Sequence, residues 1–266
     1  MLEKMIIGRY VPGDSIVHRL DPRSKLLFIL FFVIAVFLAN NAVTSLLLLA
    51  FTFLCVTLTK IRPYFIFNGL KIIFFFIFFT FLMHISFTRG GELLFEWGWF
   101  KIYEEGLKQG IFISIRFFTL IVMTTLLTLT TSPISITDGL EQLLKPLNAL
   151  KFPGHELALM MSIALRFIPT LMDETDKIIK AQVARGSDLS SGTLKERLKA
   201  VVPLLIPLFI SSFKRAEDLA VAMEVRGYRG GEGRTRYRKL EWGLKDSLLL
   251  VVLIGLIVAL FLLRSS

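Results

Sequence analysis

The stretch LLFILFFVIAVFLANNAVTSLLLLAFTFLCVTLT, residues 26–59, contains no charged side chain. As one helix it would extend about 51 Å at 1.5 Å per residue, far beyond a hydrocarbon core of about 30 Å. The polar pair Asn40-Asn41 therefore has to interrupt it, leaving two short spanning helices over 26–39 and 42–59. Arg23 and Lys25 precede the first and Lys60 and Arg62 follow the second, each with an alkyl stem that can snorkel to the headgroup region. Both charged ends then lie on one side of the membrane. Asp21-Pro22 opens the first helix with an N-cap oxygen followed by a proline at the first helical position, where a missing N–H costs nothing.

The rest of the chain has the same character. Apolar residues make up 54% of the 266 positions and 25 are phenylalanine, above the roughly 45–50% apolar usage of soluble domains. A third span is expected over Tyr64–Phe87, with the phenylalanine-rich run KIIFFFIFFTF, a fourth over Gly106–Thr131 and a fifth over Leu244–Leu263. Between the third and fourth, Arg89–Lys108 reads as a loop whose acids balance its bases and which carries Trp97, Trp99 and Tyr103 as interfacial aromatics. This charge balance points to the outer face. Gly106 and Gly110 form a small-xxx-small pair, although Lys108 between them makes it a poor packing motif.

Charge places the chain in the bilayer. Residues 133–243 hold 17 of the 31 Lys and Arg residues, so the positive-inside rule assigns that block and the amino terminus to the cytoplasm. The formal charge of +10 reflects this block rather than nucleic-acid binding, for which basic stretches interleaved with aromatics are required. The single cysteine, Cys55, forms no intrachain disulfide and no cysteine metal cluster. No removable signal peptide is expected, because the first 25 residues are mixed and polar. The domain reading is 1–131 for four membrane helices, 132–243 for a cytoplasmic helical domain and 244–266 for the last membrane helix.

Inside the basic block, Glu156–Met172 is apolar but carries Arg166 and Pro169, and Ala200–Phe213 is only 14 residues long with Pro203 and Pro207. Neither makes a full spanning helix. Each continues into a charged half, DETDKIIKAQVAR and KRAEDLAVAMEVR, giving two long amphipathic helices over about 155–185 and 194–226 that prolines can kink. A shorter amphipathic piece, Thr137–Leu150, precedes them.

Both long helices end alike. Ala184-Arg185-Gly186 and Val225-Arg226-Gly227 set an arginine in the last turn and a glycine where a left-handed residue is favoured. A cation near a helix carboxyl end interacts with the macrodipole by about 0.3–1 kcal/mol, which explains each ending alone. A guanidinium at a helix tip is equally suited to bidentate capture of a partner's carboxylate. The repeated ending favours a two-pronged docking site, and composition leaves both readings open.

No G-x-x-x-x-G-K-[ST] phosphate loop is present, and the cluster Gly227–Gly233 lacks the strand that a phosphate-cradling loop follows, so it reads as a linker. Any work done across a membrane must therefore draw on a partner or an ion gradient. His155-Glu156 begins like H-E-x-x-H, but position 159 is leucine and the zinc-protease reading fails. Arg116 lies about ten residues into the fourth span, where a charge is expensive. Arg166 beside Pro169 is placed to fix a helix bend or pair with an acid. A stand-alone secondary transporter would need inverted repeats or midplane ionisable sites, and no internal repeat is visible. A membrane hydrolase would need a nucleophile and base, and no such constellation is recognisable.

The segments SIVHRLDPRSKLL at 15–27, ALRFIPTLMDETDKIIKAQVARG at 164–186 and VRGYRG at 225–230 resemble the transmembrane T component of energy-coupling factor transporters, the prokaryotic importers of vitamins and metal ions. The resemblance covers nearly the whole chain in order. It implies an all-α polytopic membrane protein with about five membrane helices and long cytoplasmic coupling helices, multi-pass in the cell membrane, with a cytoplasmic amino terminus and no catalytic activity of its own. It also implies that Ala184, Arg185, Gly186, Val225, Arg226 and Gly227 dock two ABC-type ATPase subunits, with valine at 225 where the family motif has alanine. ATP and Mg would sit on those ATPases, and no cofactor on this chain. A separate membrane S component would bind the substrate. Asp21, Pro22, Arg23, Arg116, Arg166 and Pro169 are the further structural or coupling candidates.

Overall fold

The computed structural model describes residues 10–97, 100–146, 153–186, 193–230 and 240–264. Helices α1 (Pro22–Leu38), α2 (Ala42–Thr59) and α3 (Pro63–Phe87) are followed by strands β1 (Leu93–Trp97) and β2 (Phe100–Tyr103). Then come α4 (Glu104–Thr130), α5 (Pro133–Leu144), α6 (Gly154–Ala184), α7 (Leu194–Val225) and α8 (Leu244–Leu262). The chain divides into two compact units, one of residues 8–140 with 240–266 and one that includes residues 141–239.

In the first unit the expected break at Asn40-Asn41 is a helix N-cap. Asn41 Oδ1 accepts from the Thr44 amide at 2.8 Å, and the Asn41 amide donates to Thr44 Oγ1 at 3.1 Å, which satisfies donors that lipid cannot. Asp21 caps α1 in the same way, accepting from the Arg23 amide at 2.8 Å. Helix α1 packs against α4 and α8, while α2 and α3 pack against α4. Phe32, Ala35, Val36, Leu48, Val122, Leu253 and Leu260 form the centre of the core. The rings of Phe28, Phe32 and Phe51 stack with centroids 5.8–6.2 Å apart. Buried hydroxyls turn back to their own helix: Thr52 donates to Leu48 O at 2.8 Å, Thr130 to Leu126 O at 2.7 Å and Thr119 to Arg116 O at 3.0 Å. The buried threonines of α4, Thr119 and Thr130, thus sit in an apolar bundle with their hydroxyls paired.

Four sequence expectations are corrected. Lys25 does not snorkel: it is only 5% exposed. Its Nζ donates to Thr130 O and Thr131 Oγ1, both at 3.1 Å, and to His18 O at 3.4 Å. The carbonyl end of α4 supplies the acceptors that water would otherwise provide. Gly106 and Gly110 are a packing site. A Cβ on Gly106 would lie 2.9 Å from Thr88 O and 3.1 Å from His84 O, and one on Gly110 would lie 3.0 Å from the Phe81 ring. Lys108 does not interfere, because it points away and pairs with Glu104.

The expected loop at 89–108 contains an antiparallel hairpin pairing Leu93 with Tyr103 and Trp97 with Phe100, with an irregularity between Leu93 and Phe95. The interfacial reading of Trp99 falls outside the described residues. The reading of Glu156–Met172 as too broken to span also changes. Among the described residues, α2, α4, α6 and α8 are long and apolar enough to cross a membrane by length and composition. Helix α6 qualifies because Arg166 is the only charge in its half Leu157–Met172. Helix α1, with 17 residues, spans about 26 Å.

Helix α5 starts earlier than the amphipathic pattern indicated. Ser132 Oγ accepts from the Ser135 amide at 3.2 Å, and Pro133 takes the first helical position. The expected end of this helix beyond 146, and the linker reading for 231–233, lie outside the described residues.

Candidate docking tips and their supports

In the second unit the two long helices run over Gly154–Ala184 and Leu194–Val225, within one residue of the bounds read from the charge pattern. The helical assignment continues through Pro169 in α6 and through Pro203 and Pro207 in α7. Arg166 and Pro169 are both exposed. Among the described residues Arg166 has no acidic partner, so the expected pairing is not observed.

Each helix closes on its arginine. In α7 the Gly227 amide donates to Glu224 O at 2.8 Å and the Tyr228 amide to Met223 O at 3.0 Å, the pair of bonds that defines a Schellman ending. In α6 the Arg185 amide donates to Ala181 O at 3.2 Å and the Gly186 amide to Val183 O at 3.0 Å. Gly186 and Gly227 have φ of 85° and 75°, a region costly for residues with a Cβ. A Cβ at either glycine would have no neighbour within 4 Å. Conformation, not space, requires glycine here.

These endings leave both arginine side chains exposed, with no hydrogen bond or ion pair to a described residue. Exposed valines flank them: Val183 is 54% exposed and Val225 83% exposed. A cation beside uncovered apolar surface can make a bidentate bond to an acid while its neighbours pack into a groove.

A polar clasp joins the helices that carry the tips. Glu174 of α6 accepts from Arg215 Nε at 3.2 Å and Nη2 at 3.1 Å, and from Ser211 Oγ, both on α7. One carboxylate thereby takes three donors across the helix pair. Elsewhere in this unit His155 Nδ1 lies 2.9 Å from Glu141 Oε1, so His155 serves a local contact.

In the membrane-helix unit the remaining candidates form two supports. Asp21 holds Arg23 with two bonds, Nε to Oδ1 at 3.0 Å and Nη2 to Oδ2 at 2.8 Å. The guanidinium also reaches Leu240 O at 3.4 Å and lies 5.6 Å from the Trp242 ring centre. Asp246 completes this support. It is buried and accepts from the Asp21 amide at 2.8 Å, Ser24 Oγ at 2.6 Å and the Gly243 amide at 2.8 Å. One carboxylate ties the amino ends of α1 and α8 together. Pro22 begins α1 within this cluster. At the other end of α1, Arg116 Nη2 donates to Ala39 O at 2.8 Å, with its guanidinium 5.4 Å from the Phe37 ring centre. The charge inside the fourth span thus caps the carbonyl end of a neighbouring helix.

Asp246, Ser24, Lys25, Glu174, Ser211 and Arg215 were not singled out as site residues from sequence. The signal available was an acid and a lysine at the ends of apolar runs, which interfacial anchoring explains equally well.

The sequence model of the CbiQ family, described as cobalt transport protein, matches residues 13–237. The chain is 64% identical to the energy-coupling factor transporter transmembrane protein EcfT of Bacillus subtilis (strain 168) over 265 residues, covering all of both chains. It is 56% identical to the protein of the same name from Macrococcus caseolyticus, again over the full length of both, and 50% identical to that of Staphylococcus aureus, covering 100% of this chain and 99% of the relative. With matches of this extent spanning both the membrane helices and the arginine-tipped helices, the chain belongs to the family of energy-coupling factor transporter transmembrane proteins.

Proposed function

We propose that this chain is the coupling subunit of an ATP-driven importer, joining two cytoplasmic ABC-type ATPases to a separate substrate-binding S component in a prokaryotic cell membrane. The reading rests on one observation above all: two helices clasped at Glu174 end in exposed, unpaired arginines, each held in place by a positive-φ glycine. ATP and Mg belong to the ATPases, and this chain contributes no catalytic group. Its amino terminus and the arginine-tipped ends of α6 and α7 face the cytoplasm, consistent with the 17 basic residues within 133–243.

Each ATPase would accept one tip, with a carboxylate in its groove taking the guanidinium. A change in the separation of the two ATPases would then move α6 and α7 relative to each other. The S component has a surface to follow that motion. Val202, Ile206, Phe209 and Phe213 recur at intervals of four, three and four along α7 and are 51–73% exposed, a stripe that leaves apolar area for a membrane partner to cover. The name of the matching family, cobalt transport protein, supports a metal ion as one cargo class.

The test is Arg185→Glu combined with Arg226→Glu in the full chain. The double variant should insert and accumulate normally while no ATPase is retained on detergent purification. Co-purification at the wild-type level would refute the docking role. If the arginines only stabilised their helix ends, each single change would lower abundance instead.

A further inference from the structure

We propose that the cavity between residues 11–18 and the α2–α3 turn binds the phosphate headgroup of an anionic phospholipid through Lys60 and Arg62. The cavity measures about 310 Å³, at the lower end of the range for small-molecule sites, about 300–1,000 Å³. Val11, Asp14, His18, Lys60, Arg62 and Phe65 are among its walls. It lies at the end of α2, one of the helices long and apolar enough to cross a membrane, where headgroups are found.

The charges facing this space favour an anion. Lys60 and Arg62 are exposed, and among the described residues no acid pairs with either. Asp14 is the acid on the wall, and its side chain is 97% exposed and 3.9 Å from Arg19. His18 is already engaged, with Nδ1 2.6 Å from Ser15 Oγ and Nε2 3.0 Å from Val11 O. The two free cations therefore outweigh the acid. Arg62 is also the N-cap of α3, with no side-chain cap on that helix end, so the positive end of the helix dipole adds to theirs.

Backbone conformation gives a second, independent observation. Lys60 has φ 54° and ψ 19° and is the only non-glycine residue with positive φ among the described residues. Glycine is the usual occupant of a left-handed helix end. Retaining lysine there keeps a cation on the cavity wall despite the conformational cost. The ligand's other half is provided for as well: Val11, Ile61 and Phe65 are the apolar part of the wall, and Phe65 is 43% exposed, a surface suited to an acyl chain that free phosphate would not use.

The test uses the purified full chain, titrated with phosphatidylglycerol or phosphatidylcholine and read by native mass spectrometry. One phosphatidylglycerol should be retained in preference to phosphatidylcholine. Lys60→Gly with Arg62→Gln, in which glycine suits the turn, should lower that retention by about twenty-five-fold, since each cation near a lipid surface contributes roughly fivefold. Equal retention of both lipids by the wild type, or an unchanged preference in the double variant, overturns the proposal. Millimolar inorganic phosphate should not displace the lipid; full displacement assigns the site to free phosphate and overturns the lipid assignment. If the variant fails to fold, a headgroup-photoreactive phosphatidylglycerol on the wild type decides. Crosslinks within 11–18 and 58–65 support the site, and crosslinks confined elsewhere overturn it.

Discussion

Glu174 and Arg215 meet across the two long helices, and each lies eleven residues before the arginine that ends its own helix. At 1.5 Å per residue the clasp is about 16 Å from either tip along each helix axis. Equal arms on both sides of one polar joint would carry motion of the tips to the same point on each helix. Arg215 is 41% exposed, so the ion pair adds little to stability, of the order of 0.5 kcal/mol. Glu174→Ala should therefore leave folding and ATPase retention near wild type while lowering substrate uptake several-fold in reconstituted complexes. Loss of ATPase retention equal to that of the tip variants, or uptake unchanged, would show that the clasp has no separate role in transmission.

The glycines after the tips allow a clean test of conformation against contact. Since a Cβ at Gly227 would touch nothing within 4 Å, Gly227→Ala should destabilise only through its left-handed backbone, by about 1 kcal/mol. Gly227→Asn should be better tolerated, because asparagine adopts that region more readily. Thermal unfolding of the purified variants checks the order. Alanine equal to or better than asparagine would mean that the positive φ is not what selects glycine here.

Gly106 and Gly255 make the opposite comparison. A methyl group at 106 meets backbone carbonyl oxygens of Thr88 and His84 at 2.9 and 3.1 Å, whereas at 255 it meets nothing within 4 Å. A backbone oxygen cannot rotate away, so Gly106→Ala should cost about 1–3 kcal/mol by forcing α3 and α4 apart. Gly255→Ala should be neutral or stabilising, as alanine replaces glycine inside a helix. Melting temperatures of the two variants in the same detergent measure the contrast, and a Gly106→Ala protein as stable as the Gly255→Ala protein contradicts the packing.

Much of this architecture was legible in the residues, because apolar runs and polar interruptions are local signals. Asn40-Asn41 marks a helix boundary by its own hydrogen-bonding chemistry, and Arg-Gly marks a helix end by the φ that glycine permits. What sequence did not disclose depends on pairs distant along the chain. Arg116 finds Ala39 O, 77 residues away, and Glu174 finds Arg215, 41 residues away. Nothing in the spacing of either charge names its partner. The small-xxx-small glycines were legible as a pattern, but their value turned on which face Lys108 occupied, and that is fixed only once α3 lies against α4. The hairpin was hidden because its strands are four or five residues long and lie between two apolar helices, where charge balance was the more visible signal.

Asp246 carries the last prediction. Its two oxygens accept from the Asp21 amide, Ser24 Oγ and the Gly243 amide, and the residue is only 4% exposed. A carboxylate accepts at both oxygens, whereas asparagine presents one acceptor and one donor of nearly the same shape. In Asp246→Asn one orientation keeps the bonds of Asp21 and Ser24 but sets an NH₂ against the Gly243 amide. The other orientation keeps Gly243 and opposes Asp21. Either leaves a donor unsatisfied in a buried place, at about 1–3 kcal/mol, and loosens the amino ends of α1 and α8 together. Ser24→Ala removes a single donor and leaves an acceptor still served by two others, so it should cost less than Asp246→Asn. Chemical or thermal unfolding of the full chain, with cysteine pairs placed at neighbouring exposed positions of the amino ends of α1 and α8 to report the separation of residues 21 and 246, distinguishes the two. If Asp246→Asn unfolds like the wild type with that separation unchanged, the carboxylate is not what ties the helix ends.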